Sequence, residues 1–351
     1  MSRHLTYAQA ILEATDLCLG ADPNVYLMGL GVPDPKGIFG TTLGLREKYG
    51  ARVLDMPTSE NGMTGVALGS AVVGMRPILT HQRVDFALLS MEQLANEAAK
   101  WHYMFGGIMK APMVVRSIIG RGWGNGPQHS QSLQAWFAHV PGLKVVMPAT
   151  PHDAKGLLIA SVEDDNPVIF LEHRWLHYIS GPVPEGRYTE PLGVARVLRE
   201  GRDVTIAALS YMSLEAHKAA RMLAERDIDA EIVDVRSLRP FDAGAVARSV
   251  EKTGRLIVAD TGWEFGGFSA EIVAQMAERC FGKLKAPPRR VALPDCPTPT
   301  SAALSKHYYP RAIHVARAAA EMLGRQDADS LFAEETGAPL DVPDKSFTGP
   351  F

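Results

Sequence analysis

A single carboxylate, Glu60, stands at the junction between a short apolar run and a helical pattern. The stretch MPTSENGMTG carries it from the run ARVLDM into the segment GMTGVALGSAVVG. In open parallel sheets, ligand sites form beyond the carboxyl ends of the strands. An acid at this position can exchange a proton with a bound ligand, or it can simply complement the dipole of the helix that it opens. Both interpretations are open at this stage.

The helix behind Glu60 contains Gly62, Gly65 and Gly69, spaced three and four residues apart. A glycine inside a helix costs ~1 kcal/mol relative to alanine. The pattern therefore predicts that another helix or a ligand comes close to this face.

A second candidate, His129, ends the glycine-rich loop IIGRGWGNGPQHSQS. This loop lacks the Lys-Ser/Thr pair of a P-loop, so its glycines are weak evidence for phosphate binding. A histidine in such a loop can transfer a proton or bind an anion, and it can equally be a solvated loop residue.

An aromatic residue and a histidine pair give weaker indications. Phe86, in HQRVDF, can stack on a flat cofactor or fill the core. His173 and His177 are four residues apart, a spacing that suits a metal when both lie on one helix. They lack the glutamate of an HExxH motif and a third ligand, which disfavours zinc.

Short β-rich apolar runs alternate with helical segments, and this alternation predicts βαβ units with a parallel sheet covered by helices. Near residue 180, SGPVPEGRYTEPLG interrupts the series and predicts a linker or an edge hairpin. We therefore predict an α/β protein with two parallel-sheet domains, residues 1–188 and 195–325, and a loosely attached tail, 326–351. The clearest predicted strands are NVYLMGL, ARVLDM, RPILTH, APMVVRSI, LKVVMPA, NPVIFLEH, RDVTIAALS, DAEIVDVRSL and GRLIVAD.

The composition excludes several classes of function. The 351 residues carry a net charge of −3, so neither nucleic acid nor an anionic membrane is indicated as a partner. No apolar run reaches the ~18 residues of a membrane span, and the N-terminal segment has the pattern of an amphipathic helix with a Thr6–Gln9 capping box. Cys18, Cys280 and Cys296 are scattered, which predicts free thiols and a cytoplasmic protein.

Several long motifs closely resemble the β subunits of thiamine-diphosphate-dependent 2-oxo acid dehydrogenases of the pyruvate and branched-chain type. The resemblance covers roughly residues 4–322. It implies a transketolase-like pyrimidine-binding domain followed by a transketolase C-terminal-like domain. The motifs that carry it are RVLDMPTSENGMTGVALGSAVVGMRPI, QHSQSLQAWFAHVPGLKVVMPATPHDAKGLLIASVEDDNPVIFLEH, DVRSLRPFD and VEKTGRLIVAD.

The resemblance implies roles for the candidate residues. Glu60 would share a proton with a nitrogen of the aminopyrimidine ring of thiamine diphosphate and so activate the cofactor. Gln82, Asp85 and Phe86 would bind the cofactor, with Phe86 near the pyrimidine ring. His129 would line the substrate channel, steady the substrate and assist acyl transfer to a lipoyl group.

The resemblance also implies ions and partners. Some family members bind potassium through main-chain carbonyls, and the aligned positions are Met113, Ser161, Asp164 and Asn166. The diphosphate and its Mg²⁺ are held by a GDG motif on an α subunit, and this chain has no GDG. An α subunit is therefore implied, in an α2β2 heterotetramer, and a lipoylated acyltransferase is the expected acceptor.

Three departures from the family pattern lie near the expected cofactor and substrate. Leu30 replaces an acid, and Thr80 and His81 replace the common Glu-Phe/Ile pair, so pyruvate is not assumed as the substrate. The alternative is a split transketolase or acyloin-type synthase that passes the thiamine-bound unit to an aldehyde, because transketolases share the activating glutamate. A degenerate assembly subunit is disfavoured, since Glu60 is retained.

Overall fold

The computed structural model describes residues 3–121, 125–332 and 340–343. The chain forms two compact units. The first comprises the residues up to 119 together with 136–192, and the second comprises 120–135 and the residues from 193 onward. Gly122 and Gly124 of the predicted glycine-rich loop lie outside the described residues.

The first unit contains a parallel sheet that runs in the order β6-β7-β5-β4-β2-β3. Strands such as VIFLEH are buried along their whole length, as expected where helices cover both faces. The strands are β1 (Arg3–Thr6), β2 (Val25–Gly29), β3 (Val53–Asp55), β4 (Arg76–His81), β5 (Val114–Ile119), β6 (Lys144–Val146), β7 (Val168–His173) and β8 (Ser180–Val183).

Helices of different geometry connect these strands. A 3-10 turn, Leu88–Ser90, and a π-helical segment, Glu92–Ala98, precede the helix Ala99–Met104. Segments of π-helix occur mostly as single turns, often at functional sites. The α-helices are α1 (Tyr7–Ala21), α2 (Gly37–Gly40), α3 (Leu45–Tyr49), α4 (Glu60–Val72), α5 (Val84–Ala87), α6 (Ala99–Met104), α7 (Gln134–His139), which begins in the second unit, and α8 (Pro151–Glu163).

Of two features of the first unit, the start of α1 follows from the local sequence and the pairing of β8 does not. The predicted capping box is confirmed, because the Thr6 side chain accepts from the Gln9 backbone and the Gln9 side chain accepts from the Thr6 backbone. The interrupting segment that begins at Ser180 is extended at its start, and β8 pairs antiparallel with β1. Pairing with a strand more than 170 residues away in the chain is not visible in a local pattern.

The second unit contains a five-stranded sheet in the order β14-β13-β10-β11-β9, parallel except for the edge strand β9. Its core is rich in alanine, where α13 packs on α9. The elements are β9 (Arg196–Arg199), β10 (Val204–Ala208), α9 (Met212–Ala224), β11 (Ala230–Asp234), β12 (Ser237–Arg239), α10 (Ala243–Thr253), β13 (Leu256–Trp263), α11 (Phe268–Cys280), β14 (Arg289–Leu293), α12 (Ala302–Ser305), α13 (Ala312–Met322) and α14 (Ala328–Leu331).

The described part of the predicted tail is held against the second unit rather than loosely attached. Phe332 is buried in the core beside α9 and α13, and its carbonyl accepts from Arg317. Further along, the Arg311 guanidinium donates to the carbonyls of Leu340, Val342 and Pro343. A buried phenylalanine and a charged group that satisfies three carbonyls both stabilise this packing.

Candidate active site

Glu60 is the first residue of α4, and the residue is only 7% exposed. The helix begins only five residues after β3 ends at Asp55, at the carboxyl edge of the sheet. Ser59 precedes it and makes no side-chain capping bond, although its carbonyl accepts from the Met63 amide. The acid is therefore held in the first turn of a helix at the edge where parallel sheets bind ligands.

A buried polar cluster lies one helical turn behind Glu60. The Thr64 hydroxyl lies 2.7 Å from the Glu60 carbonyl oxygen, 2.9 Å from Ser90 Oγ and 3.2 Å from His81 Nε2. Thr64, Ser90 and His81 are all buried. Burial lowers the pKa of His81 from 6.5 to about 4, so the imidazole is neutral near pH 7.

Gln82, Asp85 and Phe86 follow the carboxyl end of β4, and α5, which carries Asp85 and Phe86, packs against α4. The three side chains are half-buried. Gln82 Nε2 donates to the Leu30 carbonyl at 3.2 Å, which joins the ends of β4 and β2. The structure thus brings the elements bearing these three residues and Glu60 to one edge of the first unit.

The ends of β2 and β4 approach each other closely. A Cβ atom added at Gly29 would lie 2.3 Å from the Thr80 carbonyl oxygen, so only glycine fits this position. Beyond Gly29, the Gly31 amide donates to Asp55 Oδ1 at 2.9 Å. Thr80 Oγ1 is buried, and no described residue provides it with a hydrogen-bond partner. The family departures at Leu30, Thr80 and His81 therefore all belong to this edge of the sheet.

His129 belongs to the second unit, whereas the other four candidate residues belong to the first. It is the last residue of a 3-10 turn, Pro127–His129, and its amide donates to the Gly126 carbonyl at 3.2 Å. The imidazole is half-buried, next to the exposed Gln128. A partly covered histidine on a short turn can both contact a ligand and exchange protons with solvent.

Of the four residues aligned with a potassium site, Asp164 and Asn166 lie in the loop between α8 and β7, and Met113 is bonded to the start of β7. The Met113 carbonyl accepts from the Val168 amide at 2.9 Å, and the Asp164 carbonyl accepts from the Arg76 guanidinium at 3.1 Å. Each carbonyl keeps a second lone pair. Asn166 donates twice to Asp164 Oδ1, through its amide and its side chain, which fixes the loop. Ser161, by contrast, is buried within the last turns of α8.

The two carboxylates of this loop, Asp164 and Asp165, pair with three cations. Lys144 pairs with Asp164, whereas Arg76 and Lys110 both pair with Asp165. A potassium ion would therefore depend on the carbonyl oxygens for its ligands rather than on an excess of negative charge.

His173 and His177 do not share a helix, and the zinc interpretation has no support in their geometry. His173 ends β7 and its Nδ1 accepts from the Trp175 amide, whereas His177 Nε2 lies 3.3 Å from Glu172 Oε2. Burial lowers the pKa of His173 to about 3. Within the described ranges, the cluster of three possible metal ligands is elsewhere, at His152, Asp153 and Glu190.

The sequence did not single out Thr64 and Ser90. The only signal for Thr64 was its position four residues after Glu60, which places both on one helix face. The three cysteines are free thiols, as predicted. No helix in the described part of the chain is long and apolar enough to cross a membrane, and the cytoplasmic location stays a prediction.

Two family models and several known proteins match this chain over most of its length. Residues 3–178 match the family described as "Transketolase, pyrimidine binding domain", and residues 193–327 match "Transketolase, C-terminal domain". The chain is 44% identical to the acetoin:2,6-dichlorophenolindophenol oxidoreductase subunit beta of Cupriavidus necator, over 91% of this chain and 97% of that protein. It is 40% identical to the Bacillus subtilis protein of the same name, over 92% of this chain and 98% of that one.

A plant relative and a solved structure extend the comparison. The pyruvate dehydrogenase E1 component subunit beta-2, mitochondrial, of Oryza sativa subsp. japonica is 40% identical over 91% of this chain and 86% of its own length. A chain described as "Split gene transketolase, inactive beta4 tetramer" superposes with a TM-score of 0.74 at 23% identity, covering 92% of this chain and 99% of that one. The last similarity shows a shared fold.

Proposed function

The chain belongs to the family of thiamine-diphosphate-dependent 2-oxo acid dehydrogenase β subunits, and on this premise we propose its activity. We infer that it is the β subunit of a cytoplasmic heterotetramer. That enzyme oxidatively decarboxylates a 2-oxo acid and passes the acyl group to a lipoyl group.

The observation that carries this proposal is the burial of Glu60 in the first turn of α4, at the carboxyl edge of the sheet. Thiamine diphosphate, when bound, supplies the carbon chemistry that no side chain offers. Glu60 would hold and share a proton at a ring nitrogen of the aminopyrimidine. Gln82, Asp85 and Phe86, on the neighbouring α5 and the turn before it, would hold the pyrimidine in place.

His129 would act on the substrate side. A half-buried histidine can donate a hydrogen bond to a carboxylate and can move a proton during acyl transfer. In this assignment it steadies the substrate and assists transfer to the lipoyl group, without binding the cofactor.

An α subunit would complete the cofactor site. This chain contains no GDG sequence, so the diphosphate and its Mg²⁺ would be held by the partner. The relatives from C. necator and O. sativa are themselves named as β subunits, which supports an assembly with a second type of chain. We propose an α2β2 tetramer with a lipoylated acyltransferase as acceptor, and potassium on the carbonyls of Met113, Ser161, Asp164 and Asn166.

The names of the two relatives from C. necator and B. subtilis favour a second candidate substrate, acetoin. Acetoin is an acyloin, so its oxidative cleavage would use the same cofactor and the same Glu60. The three departures at Leu30, Thr80 and His81 lie on the edge of the sheet that faces the proposed cofactor, where they could change the substrate.

The test is to purify the tagged chain from its own host and determine the mass of the intact assembly. We expect a second chain that carries GDG, and thiamine-dependent reduction of 2,6-dichlorophenolindophenol with a 2-oxo acid. Turnover with acetoin but not with a 2-oxo acid would identify acetoin as the substrate and would leave the assignment of the active-site residues unchanged. A homo-oligomer without a second chain and without turnover would overturn the proposed function.

A further inference from the structure

The Thr64 hydroxyl joins three elements of the first unit at one point. It belongs to α4, it contacts Ser90 at the end of a 3-10 turn, and it contacts His81 at the end of β4. It also bonds to the carbonyl of Glu60, four residues earlier in the same helix. The backbone of the proposed cofactor-activating acid is thus tied to this buried cluster.

Proton counting fixes the direction of the bond to His81. A hydroxyl carries one proton, and that of Thr64 is directed at the two nearer oxygens, the Glu60 carbonyl at 2.7 Å and Ser90 Oγ at 2.9 Å. It is therefore not available to His81 Nε2 at 3.2 Å. The contact is a hydrogen bond only if His81 carries its proton on Nε2 and donates it to Thr64.

The first turn of α4 has little other support from its cap. The Ser59 side chain makes no capping bond to the helix and contacts Asn61 Oδ1 at 3.1 Å instead. The Thr64 hydroxyl also bonds back to the Glu60 carbonyl, an interaction that bends helices slightly. The direction in which the Glu60 side chain points from the helix therefore depends on how firmly His81 and Ser90 hold the Thr64 hydroxyl.

We propose that His81 is a positioning residue: it donates Nε2–H to the Thr64 hydroxyl and thereby fixes the turn that aims Glu60. This inference rests on the proposed role of Glu60. It assigns a task to a residue at which the family usually has phenylalanine or isoleucine, neither of which can donate a hydrogen bond.

Variants with and without a donor test the proposal. His81→Phe keeps an aromatic ring but has no donor, and His81→Gln restores an N–H that can reach Thr64. Thr64→Val and Thr64→Ser repeat the comparison from the other side of the bond. His217→Phe, at a half-buried histidine of the second unit, controls for the loss of an imidazole elsewhere.

Two readouts are measured on the full chain and on the complex purified from its host. The first is amide hydrogen exchange in residues 60–64, and the second is kcat and KM. We expect His81→Phe and Thr64→Val to exchange faster in this turn and to lose about tenfold in kcat, with KM nearly unchanged, which corresponds to one buried hydrogen bond. The Gln and Ser variants and the His217 control should resemble the wild type.

The outcomes separate this proposal from the proposed function. Wild-type kcat and protection in His81→Phe overturn the positioning role, whatever the enzyme's reaction. If the wild-type complex shows no turnover at all, the proposed function falls, and exchange in residues 60–64 alone decides whether His81 holds the turn. Equal losses in the Phe and Gln variants would show that a restored N–H donor does not rescue the turn, which also overturns the proposal.

Discussion

The Arg116 guanidinium on β5 forms a bidentate ion pair with the Glu172 carboxylate on the neighbouring strand β7, with Nε 2.6 Å from Oε1 and Nη2 3.1 Å from Oε2. Both side chains are fully buried, and His177 Nε2 completes the group at 3.3 Å from Oε2. The Arg116 and His177 partners hold the pKa of Glu172 down to about 2 against the opposing effect of burial. This pair anchors the sheet whose edge carries the candidate active site.

Glu172→Gln should destabilise the chain strongly. It leaves the Arg116 charge buried without its counterion, and breaking such a pair costs about 3–5 kcal/mol. Urea denaturation of the isolated chain measures the loss. Glu264→Gln breaks an exposed pair with Arg290 and should cost less than about 1 kcal/mol. Equal losses in the two variants would contradict the structural role given to Glu172.

The stability of the fold should fall as the pH drops from about 7 to 5, in part because of His81. Its pKa is about 4 in the fold and 6.5 when exposed, so the folded chain keeps it neutral while the unfolded chain takes up a proton. Stability is therefore complete above the unfolded pKa and declines below it, by about 2 kcal/mol at pH 5. His81→Gln should remove this component. The prediction fails if wild type and variant lose the same free energy of unfolding between these two pH values.

His129→Ala should depress turnover by about a hundredfold while leaving thiamine diphosphate binding intact, because the assigned role is proton transfer on the substrate side. His139→Ala, at an exposed histidine that follows in the chain, is the matched control. Steady-state kinetics and calorimetric titration of the cofactor give the two readouts. Weakened cofactor binding with normal turnover would assign His129 to the cofactor instead.

Gly69→Ala should stabilise the isolated chain by about 1 kcal/mol, because alanine is the better helix former and, apart from the adjoining residues and the backbone of its own helix, no described atom lies within 4 Å of the added Cβ. The neighbouring Gly65 is similarly open, with only Gln93 Cγ at 4.0 Å. The close approach predicted for these glycines is thus not made within the described chain. If a partner helix packs there, the same substitution should weaken the assembled complex, which analytical ultracentrifugation would detect. Loss of stability in the isolated chain would contradict the open surroundings.

Much of the fold follows from local pattern. The run RPILTH is strand β4 over its full length, and the Thr6–Gln9 capping box predicts the start of α1. The position of Glu60, after a strand and at the start of a helix, follows from the same reasoning. Each of these depends on residues that are near one another in sequence, so propensity and spacing are sufficient to find them.

The rest depends on contacts between distant parts of the chain. His81 and Ser90 lie 17 and 26 residues beyond Thr64, and only the folded sheet brings them to one hydroxyl. The pairing of β8 with β1 has the same character, as does the burial of Phe332, since apolar neighbours from other elements surround it. Such features are set by tertiary packing, which periodicity does not encode.

Replacement of Glu60 by glutamine in the assembled complex tests the central claim most directly. The amide keeps the shape of the side chain but does not exchange a proton as a carboxylate does, so we predict that thiamine diphosphate still binds while turnover falls by about a hundredfold or more. Glu47→Gln, at an exposed acid on α3, should leave turnover unchanged. Turnover of the Glu60→Gln complex equal to that of the wild type would contradict the account.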